Sequence, residues 1–126
     1  HGPGQLVIYF LLDIKKLGYG PNKLVVSIQE FIKELLSDLS IESSFVEGAP
    51  GVYVNDKKIA SIGLRISKNK TYHGVSINFD MDLKPFTYIN PCGYEGLEVT
   101  QIKDFNRNIS KLQLEELVIE KLRHIF

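Results

Sequence analysis

The stretch GVYVNDKKIASIGLR, residues 51–65, decides the fold. Residues 52–54 are apolar, Asn55-Asp56 is a turn signal, and residues 58–67 predict the second arm of a β-hairpin. Hairpins in the middle of a chain favour a sheet that is largely antiparallel or mixed. We therefore expect β structure at the centre of this protein, with other elements packed around it.

Outward from the hairpin, the sequence predicts further strands. Residues 5–13, QLVIYFLLD, form a short apolar run that is typical of a buried strand. In residues 71–80 apolar and polar side chains alternate, which predicts a strand with one buried face. Short strands are also expected at 43–46 and 97–100, turns at 48–51, 68–70 and 93–96, and a short helix or loop at 82–90.

Two segments have the period of a helix. From Asn22 to about Leu39 apolar residues recur at spacings of three and four, with charged residues between them. A second helix is expected from Ser110 onward, with Ser110 as its N-cap. The predicted fold class is therefore α+β, a mixed or antiparallel sheet with flanking helices, in a single domain over residues 1–126. The apolar residues of the first helix are Leu24, Ile28, Phe31, Ile32, Leu35, Leu36 and Leu39.

Composition excludes several classes of protein. Hydrophobic residues make up 44% of the 126, and 15 basic residues balance 15 acidic ones, which argues against disorder and against a general nucleic-acid-binding surface. No apolar run approaches the roughly 20 residues that a membrane-spanning helix needs. One cysteine cannot form an internal disulfide, and with three separated histidines it makes no zinc cluster.

The first residue is His1 rather than Met, and no signal-peptide pattern follows it. We therefore expect the chain to lack its natural N-terminal portion. No Gly-rich turn between a strand and a helix occurs, so neither a dinucleotide nor a P-loop site is predicted.

Cys92 is a candidate nucleophile. It lies in NPCGYEG, residues 90–96, where Pro and Gly indicate a turn that exposes the sulfur and presents backbone N–H groups to it. An inert buried cysteine is the alternative. By residue type its partner is a histidine, His73 or His124, or a lysine. Lys58 is the lysine that stands before a strand of apolar and small residues, where its ammonium either enters a desolvated cleft or reaches back to water.

His73-Gly74 is a second candidate site. A glycine within a strand permits the close approach of a ligand or of another backbone. A core histidine beside a bulge glycine is the structural alternative. The scattered carboxylates have no spacing that indicates a metal site or a glycosidase pair.

Four segments of the sequence are more specific as a set than singly: HGPGQL at 1–6, GVYVNDKKIASIGLR at 51–65, TYHGVSIN at 71–78, and NPCG followed by GLEVT within 90–100. Their order and spacing resemble the octanoyltransferase family (LipB) of protein lipoylation. The resemblance covers most of the chain. The Arg-Gly-Gly half of the family's first loop, which usually precedes the His-Gly-Pro-Gly-Gln motif, is absent here.

The resemblance implies the α+β catalytic domain shared with biotin and lipoate protein ligases. It implies transfer of an octanoyl group from octanoyl-acyl carrier protein to a lysine of a lipoyl domain. The acceptors would be E2 subunits of 2-oxoacid dehydrogenases and the glycine cleavage H protein. No cofactor, metal, nucleic acid or membrane is implied. A monomer in the cytoplasm is expected, or in an organelle if a targeting segment preceded residue 1.

The resemblance also assigns site residues. Cys92 is implied as the nucleophile that carries the acyl group as a thioester. Lys58 is implied as its base and as the cation that stabilises the thiolate. The residues implied in substrate binding are His1, Gly2, Ser61, Ile62, Gly63, His73, Gly74, Val75 and Ser76.

Three other interpretations are open at this point. A lipoyl amidotransferase or a lipoate ligase has the same fold, and a ligase works through an acyl-adenylate and depends on ATP. A non-catalytic remnant would bind acyl carrier protein or a lipoyl domain without acylation of Cys92. A Cys-His hydrolase would use His73, so that replacing Lys58 would have little effect.

Overall fold

Within the residues that the structure describes, the architecture comprises a five-stranded sheet, a two-stranded ribbon and two α-helices. It is known from a computed structural model that describes residues 4–9, 21–63, 66–67, 70–71, 74–81 and 98–125. The helices are α1 (Pro21–Asp38) and α2 (Lys111–Ile125). The strands are β1 (Gln5–Tyr9), β2 (Ser44–Val46), β3 (Ala49–Val54), β4 (Lys57–Ile62), β5 (Ile66–Ser67), β6 (Lys70–Thr71) and β7 (Gly74–Asn78).

The main sheet has the strand order β1-β7-β4-β3-β2, and each neighbouring pair in it is antiparallel. The predicted α+β class, an antiparallel or mixed sheet with flanking helices, is confirmed. The predicted hairpin arm at 58–67 is wrong at its end. β4 stops at Ile62, and residues 66–67 pair with 70–71 in a separate two-stranded ribbon.

Helix α1 buries one side of its surface. Six of its predicted apolar residues have no exposed surface, and Leu39 beyond its end is half-buried. Each fully buried side chain of this size contributes about 1.5–3 kcal/mol relative to an exposed one. The helix ends in a Schellman motif, with Ser40 in the left-handed conformation (φ 64°). The Ser40 N–H donates to the Ser37 carbonyl at 2.9 Å, and the Ile41 N–H donates to the Leu36 carbonyl at 2.8 Å.

Helix α2 begins with a capping box, so Ser110 is confirmed as its N-cap. The Gln113 N–H donates to Ser110 Oγ at 3.1 Å, and the Ser110 N–H donates to Gln113 Oε1 at 2.8 Å. Leu114 and Val118 are buried against the core, whereas Leu112 is 64% exposed.

The core lies between the helices and one face of the sheet, and it includes Val75, Ile77 and Phe79. These are the residues that the alternation in 71–80 predicts to be buried. The prediction that only one face of this strand is buried is wrong, because Ser76 and Asn78 on the other face are each only 6% exposed. β7 lies between β1 and β4, and Asn78 is hydrogen-bonded to segments on both sides of it.

Two local predictions change in the structure. The turn expected at 48–51 is shorter, since β3 already begins at Ala49. The strand expected at 97–100 appears in the described residues as one parallel bridge between Val99 and Lys58. Predictions for 10–13, 68–69, 82–90 and 93–96 lie outside the described residues. Within the described part of the chain, no helix has the length and apolar character to span a membrane.

Candidate functional site

The β3–β4 hairpin carries Lys58. Its two turn residues, Asn55 and Asp56, both have left-handed backbone conformations (φ 50° and 65°). Two such residues in succession match the type I′ turn, which suits the right-handed twist of a hairpin. Val54 therefore pairs directly with Lys57, and Tyr53 pairs with Lys58.

A β-bulge in β4 determines which way Lys58 faces. Tyr53 pairs with Lys58, whereas its neighbour Val52 pairs with Ala60, so Ile59 is the extra residue. Ile59 and Ala60 both join the core under the helices. Simple alternation would put Lys58 on the same face as Ala60. The bulge instead turns Lys58 to the opposite face, which it shares with Tyr53.

Lys58 is buried on that face, with 2% of its surface exposed. Its side chain passes directly over Gly51, where a built Cβ would lie 2.7 Å from Lys58 Cε and 3.5 Å from Nζ. The alternative in which Lys58 reaches back to water is therefore wrong. Lys57 does extend into solvent, with its side chain 50% exposed and its Nζ 3.7 Å from Glu98. Such an exposed ion pair contributes little to stability.

The backbone of Lys58 is tied to the segment at 98–100. The Lys58 N–H donates to the Glu98 carbonyl, and the Thr100 N–H donates to the Lys58 carbonyl, each at 2.9 Å. In sequence, Glu98 follows Cys92 by six residues. The segment that follows the predicted nucleophile Cys92 is thus hydrogen-bonded to the backbone of the predicted base, Lys58.

Ser61 and Ser76 lie opposite each other on β4 and β7. Ser76 Oγ is buried and has no hydrogen-bond partner among the described residues. A buried hydroxyl without a partner costs about 1–3 kcal/mol, and this makes Ser76 a candidate for contact with a bound polar group. The side chains of Ile62 and Val75 pack toward the core instead. Val75 is 1% exposed, so this position could meet a ligand only through its backbone, whereas Ile62 is only partly buried.

Residue 74 must be a glycine because the backbone of β1 lies too close to it for any side chain. A Cβ at this position would overlap the carbonyl oxygen of Ile8 in β1. Of the two close approaches predicted for this glycine, that of another backbone is confirmed. The Gly63 N–H donates to the Gly74 carbonyl at 3.0 Å, so this pair of groups already forms part of the sheet.

Four predicted site residues lie outside the described residues: Cys92, His1, Gly2 and His73. The pairing of Cys92 with Lys58 therefore stays a prediction. His124 lies in the last turn of α2 and is exposed. The described residues contain no group of three or more His, Cys, Asp and Glu side chains that could hold a metal ion.

Sequence reasoning missed Gly51 and Asn78, which both contact Lys58. Both lie in the segments that carry the family resemblance. Asn78 ends β7, and no local sequence pattern relates it or Gly51 to Lys58.

Comparison with known proteins identifies the family. The model of the lipoyl protein ligase A/B catalytic domain matches residues 1–123. The chain is 48% identical over 124 residues to an octanoyltransferase of Hydrogenovibrio crunogenus, covering 98% of this chain and 59% of the relative. It is 55% identical over 106 residues to an octanoyltransferase of Dechloromonas aromatica, covering 84% of this chain and 52% of the relative. The chain thus spans about half to three-fifths of the length of these relatives.

Solved structures show the same fold. The biotin protein ligase of Aquifex aeolicus superposes with a TM-score of 0.72 at 20% identity, covering 97% of this chain and 52% of that one. A bi-partite lipoate protein ligase of Thermoplasma acidophilum superposes with a TM-score of 0.70 at 16% identity, covering 99% and 52%. The predicted fold of biotin and lipoate protein ligases is confirmed. With the family model matching nearly all of its residues, the chain belongs to the lipoyl protein ligase A/B catalytic domain family.

Proposed function

We propose that the protein is an octanoyltransferase that moves an octanoyl group from octanoyl-acyl carrier protein, through a thioester on Cys92, to a lysine of a lipoyl domain. The observation that carries the proposal is the burial of Lys58 and the attachment of its backbone to the segment at 98–100. The Lys58 ammonium is buried on a bulged strand, and its backbone is joined to the segment that follows Cys92. The proteins that match at 48% and 55% identity are octanoyltransferases, which supports the same reaction.

In the first half-reaction, neutral Lys58 accepts the proton of the Cys92 thiol, and the resulting ammonium stabilises the thiolate. The thiolate attacks the carbonyl carbon of the octanoyl thioester. A new C–S bond forms to Cys92, and the bond to the carrier's sulfur breaks. The departing thiolate of the carrier takes a proton from Lys58, which leaves Lys58 neutral again.

In the second half-reaction, the acceptor lysine must lose a proton before its amine can attack. Neutral Lys58 accepts that proton. A C–N bond then forms to the octanoyl carbonyl, the C–S bond to Cys92 breaks, and the departing Cys92 sulfur takes the second proton that the attacking nitrogen loses. Cys92 is left as a thiol, and the Lys58 ammonium gives its proton to solvent and becomes neutral again. Conversion of a thioester into an amide is downhill, so the proposal requires no nucleotide. The acceptors would be lipoyl domains of 2-oxoacid dehydrogenase E2 subunits and the glycine cleavage H protein.

The experiment is intact-mass spectrometry of the full-length protein after incubation with octanoyl-acyl carrier protein in the absence of ATP. One added octanoyl group is expected, and Cys92→Ala should abolish it. Transfer of the group to an added apo lipoyl domain would complete the reaction. If the folded wild-type protein forms no adduct, the thioester mechanism is wrong.

A matched pair of lysines tests the base. Lys58→Met keeps the apolar stem in its buried position and removes the ammonium, and it should slow acylation of Cys92 strongly. Lys57→Met makes the same change at the neighbouring exposed residue and should leave the rate unchanged. Equal slowing by the two variants would contradict a special role for Lys58.

The other interpretations predict different outcomes of the same experiment. A lipoate ligase would modify the lipoyl domain from free octanoate, and only with ATP. A binding module would retain the carrier or the lipoyl domain without a covalent adduct. A Cys-His hydrolase would release octanoate, and Lys58→Met would not slow it.

A further inference from the structure

Asn78 is a buried amide that joins four segments of the chain. It ends β7 and is 6% exposed. Its Oδ1 accepts a hydrogen bond from Gln5 Nε2 at 2.9 Å, which reaches it from β1. Its Nδ2 donates to the carbonyl of Thr100 at 3.0 Å and to the carbonyl of Lys58 at 3.4 Å. Both polar ends of the carboxamide are therefore engaged.

The two residues whose carbonyls Asn78 contacts, Lys58 and Thr100, are themselves joined in one short ladder. Between β4 and the 98–100 segment, the ladder consists of a single parallel bridge with two backbone hydrogen bonds, one made by the N–H and one by the carbonyl of Lys58. Two hydrogen bonds contribute only about 1–3 kcal/mol between them. The carboxamide of Asn78, on the neighbouring strand β7, adds a third connection between Lys58 and Thr100, because its nitrogen donates to the carbonyls of both.

The position of Lys58 depends on this ladder. Its N–H and carbonyl groups both bond to 98–100, and the bulge at Ile59 follows directly. A bulge breaks the regular hydrogen bonding of a strand locally, so the Lys58 backbone is held by this ladder and by its pairing with Tyr53. The same ladder anchors the chain six residues after Cys92.

We propose that Asn78 is a positioning residue of the acyl-transfer site. By holding the carbonyls of Lys58 and Thr100 together, it sets where the Lys58 ammonium stands relative to the chain that carries Cys92. This inference rests on the proposed function and adds to it a residue that does not touch the acyl group. A misplacement of about 1 Å between reacting groups costs up to roughly a hundredfold in rate, so the clamp matters for the transfer rate.

Asn78→Asp is the informative variant. It keeps the shape of the side chain and the oxygen that accepts from Gln5. It replaces the donating nitrogen with an oxygen that faces two carbonyl oxygens. We expect the single-turnover rate of Cys92 acylation to fall by roughly ten- to a hundredfold, while the KM for octanoyl-acyl carrier protein stays within about twofold.

Asn106→Asp is the matched control. Asn106 Nδ2 also donates to a carbonyl, that of Leu39 at 3.5 Å, and its Oδ1 accepts from the Asn108 N–H at 3.2 Å. The same substitution there should leave the acylation rate unchanged. Both variants are measured at a temperature at which denaturation curves show them fully folded.

Two further readouts do not depend on transfer activity. Amide hydrogen exchange should accelerate at Thr100 in Asn78→Asp, because the Thr100 N–H lies in the clamped ladder. The pH dependence of Cys92 alkylation by iodoacetamide should shift toward higher pH, because a displaced Lys58 stabilises the thiolate less. A purely structural Asn78 would leave that alkylation profile unchanged in the folded protein.

The outcomes separate the two proposals. If the wild-type protein forms no octanoyl adduct, the proposed function is wrong, and the hydrogen-exchange and alkylation measurements still test the clamp. If the wild type is acylated and folded Asn78→Asp is acylated at the same rate, the positioning role of Asn78 is wrong.

Discussion

Replacing Gly51 with alanine tests how Lys58 is accommodated. Gly51 is buried in β3 with φ 123°, a conformation that side-chain-bearing residues rarely adopt. The new Cβ would lie 2.5 Å from the carbonyl oxygen of Ala60 and 2.7 Å from Lys58 Cε. The contact with the Ala60 carbonyl can be relieved only by a shift of sheet backbone, whereas the contact with Lys58 Cε displaces a flexible side chain.

The expected loss of stability has two parts. Holding an alanine in this backbone conformation costs about 1–3 kcal/mol. Adding a methyl group to a site with no room for it costs about 1–3 kcal/mol more. We expect the free energy of unfolding to fall by about 4 kcal/mol, a large share of the 5–15 kcal/mol typical of a folded protein.

Gly48→Ala is the matched control, since it separates the two parts. Gly48 also has a positive φ, 76°, but a Cβ there meets no heavy atom within 4 Å. Its replacement should cost only about 1–2 kcal/mol, the backbone part alone. Urea denaturation of both variants gives the two values, with unchanged m-values as the check that the unfolding transition is the same.

Acylation of Cys92 provides the functional readout at a temperature at which both variants are folded. Gly51→Ala should slow it, because the Lys58 ammonium is displaced, and Gly48→Ala should not. Equal losses of stability in the two variants would show that a Cβ at residue 51 meets neither the Ala60 carbonyl nor Lys58. Acylation of folded Gly51→Ala at the wild-type rate would show that the Lys58 ammonium is not displaced.

Two further substitutions test single hydrogen-bonding groups. Ser110→Ala should lower the free energy of unfolding by about 1 kcal/mol in urea denaturation, because it removes the cap of α2, and acyl transfer should not change; a loss below about 0.3 kcal/mol would show that the capping box contributes nothing. Ser76→Ala should leave stability unchanged or raise it by up to about 1 kcal/mol, since Ser76 Oγ is buried without a partner among the described residues. A clear loss of stability in the same denaturation assay would mean that this hydroxyl is hydrogen-bonded.

The helices were the most predictable part of the fold. α1 follows from its apolar spacing because a single face of it meets the core, so period and burial coincide. Its end, expected at about Leu39 and found at Asp38, follows from where the apolar spacing stops, although Ser rather than Gly occupies the left-handed position at residue 40. Ser110 was predictable because a capping box is a local interaction over four residues.

The sheet was less predictable, because its details depend on residues distant in sequence. Alternation in 71–80 gives the core face of β7, but burial of Ser76 and Asn78 depends on the segments packed over the other face. The bulge at Ile59 has no local signal in an apolar run, yet it decides which face Lys58 occupies.

The candidate site was predictable in part. Strand position and the family resemblance pointed to Lys58, and its burial is confirmed. Residue reasoning preferred Lys58 to Lys57 because Lys58 stands directly before the apolar strand, but it left open whether the Lys58 ammonium is buried or reaches water. Gly51 and Asn78 contact Lys58 from other strands, so no local pattern relates them to it.

The pairing of β1 with β7 has a consequence for biosynthesis. Gln5 and Asn78, which close this pair, are 73 residues apart in the chain. At a translation rate of 5–20 residues per second, a ribosome needs roughly 4–15 s to synthesise the chain from Gln5 to Asn78. The apolar strand β1 thus leaves the ribosome well before β7 exists. During that interval the edge of β1 is unpaired and accessible to chaperones and to neighbouring nascent chains. The β3–β4 hairpin, whose turn is two residues long, forms as soon as it is synthesised.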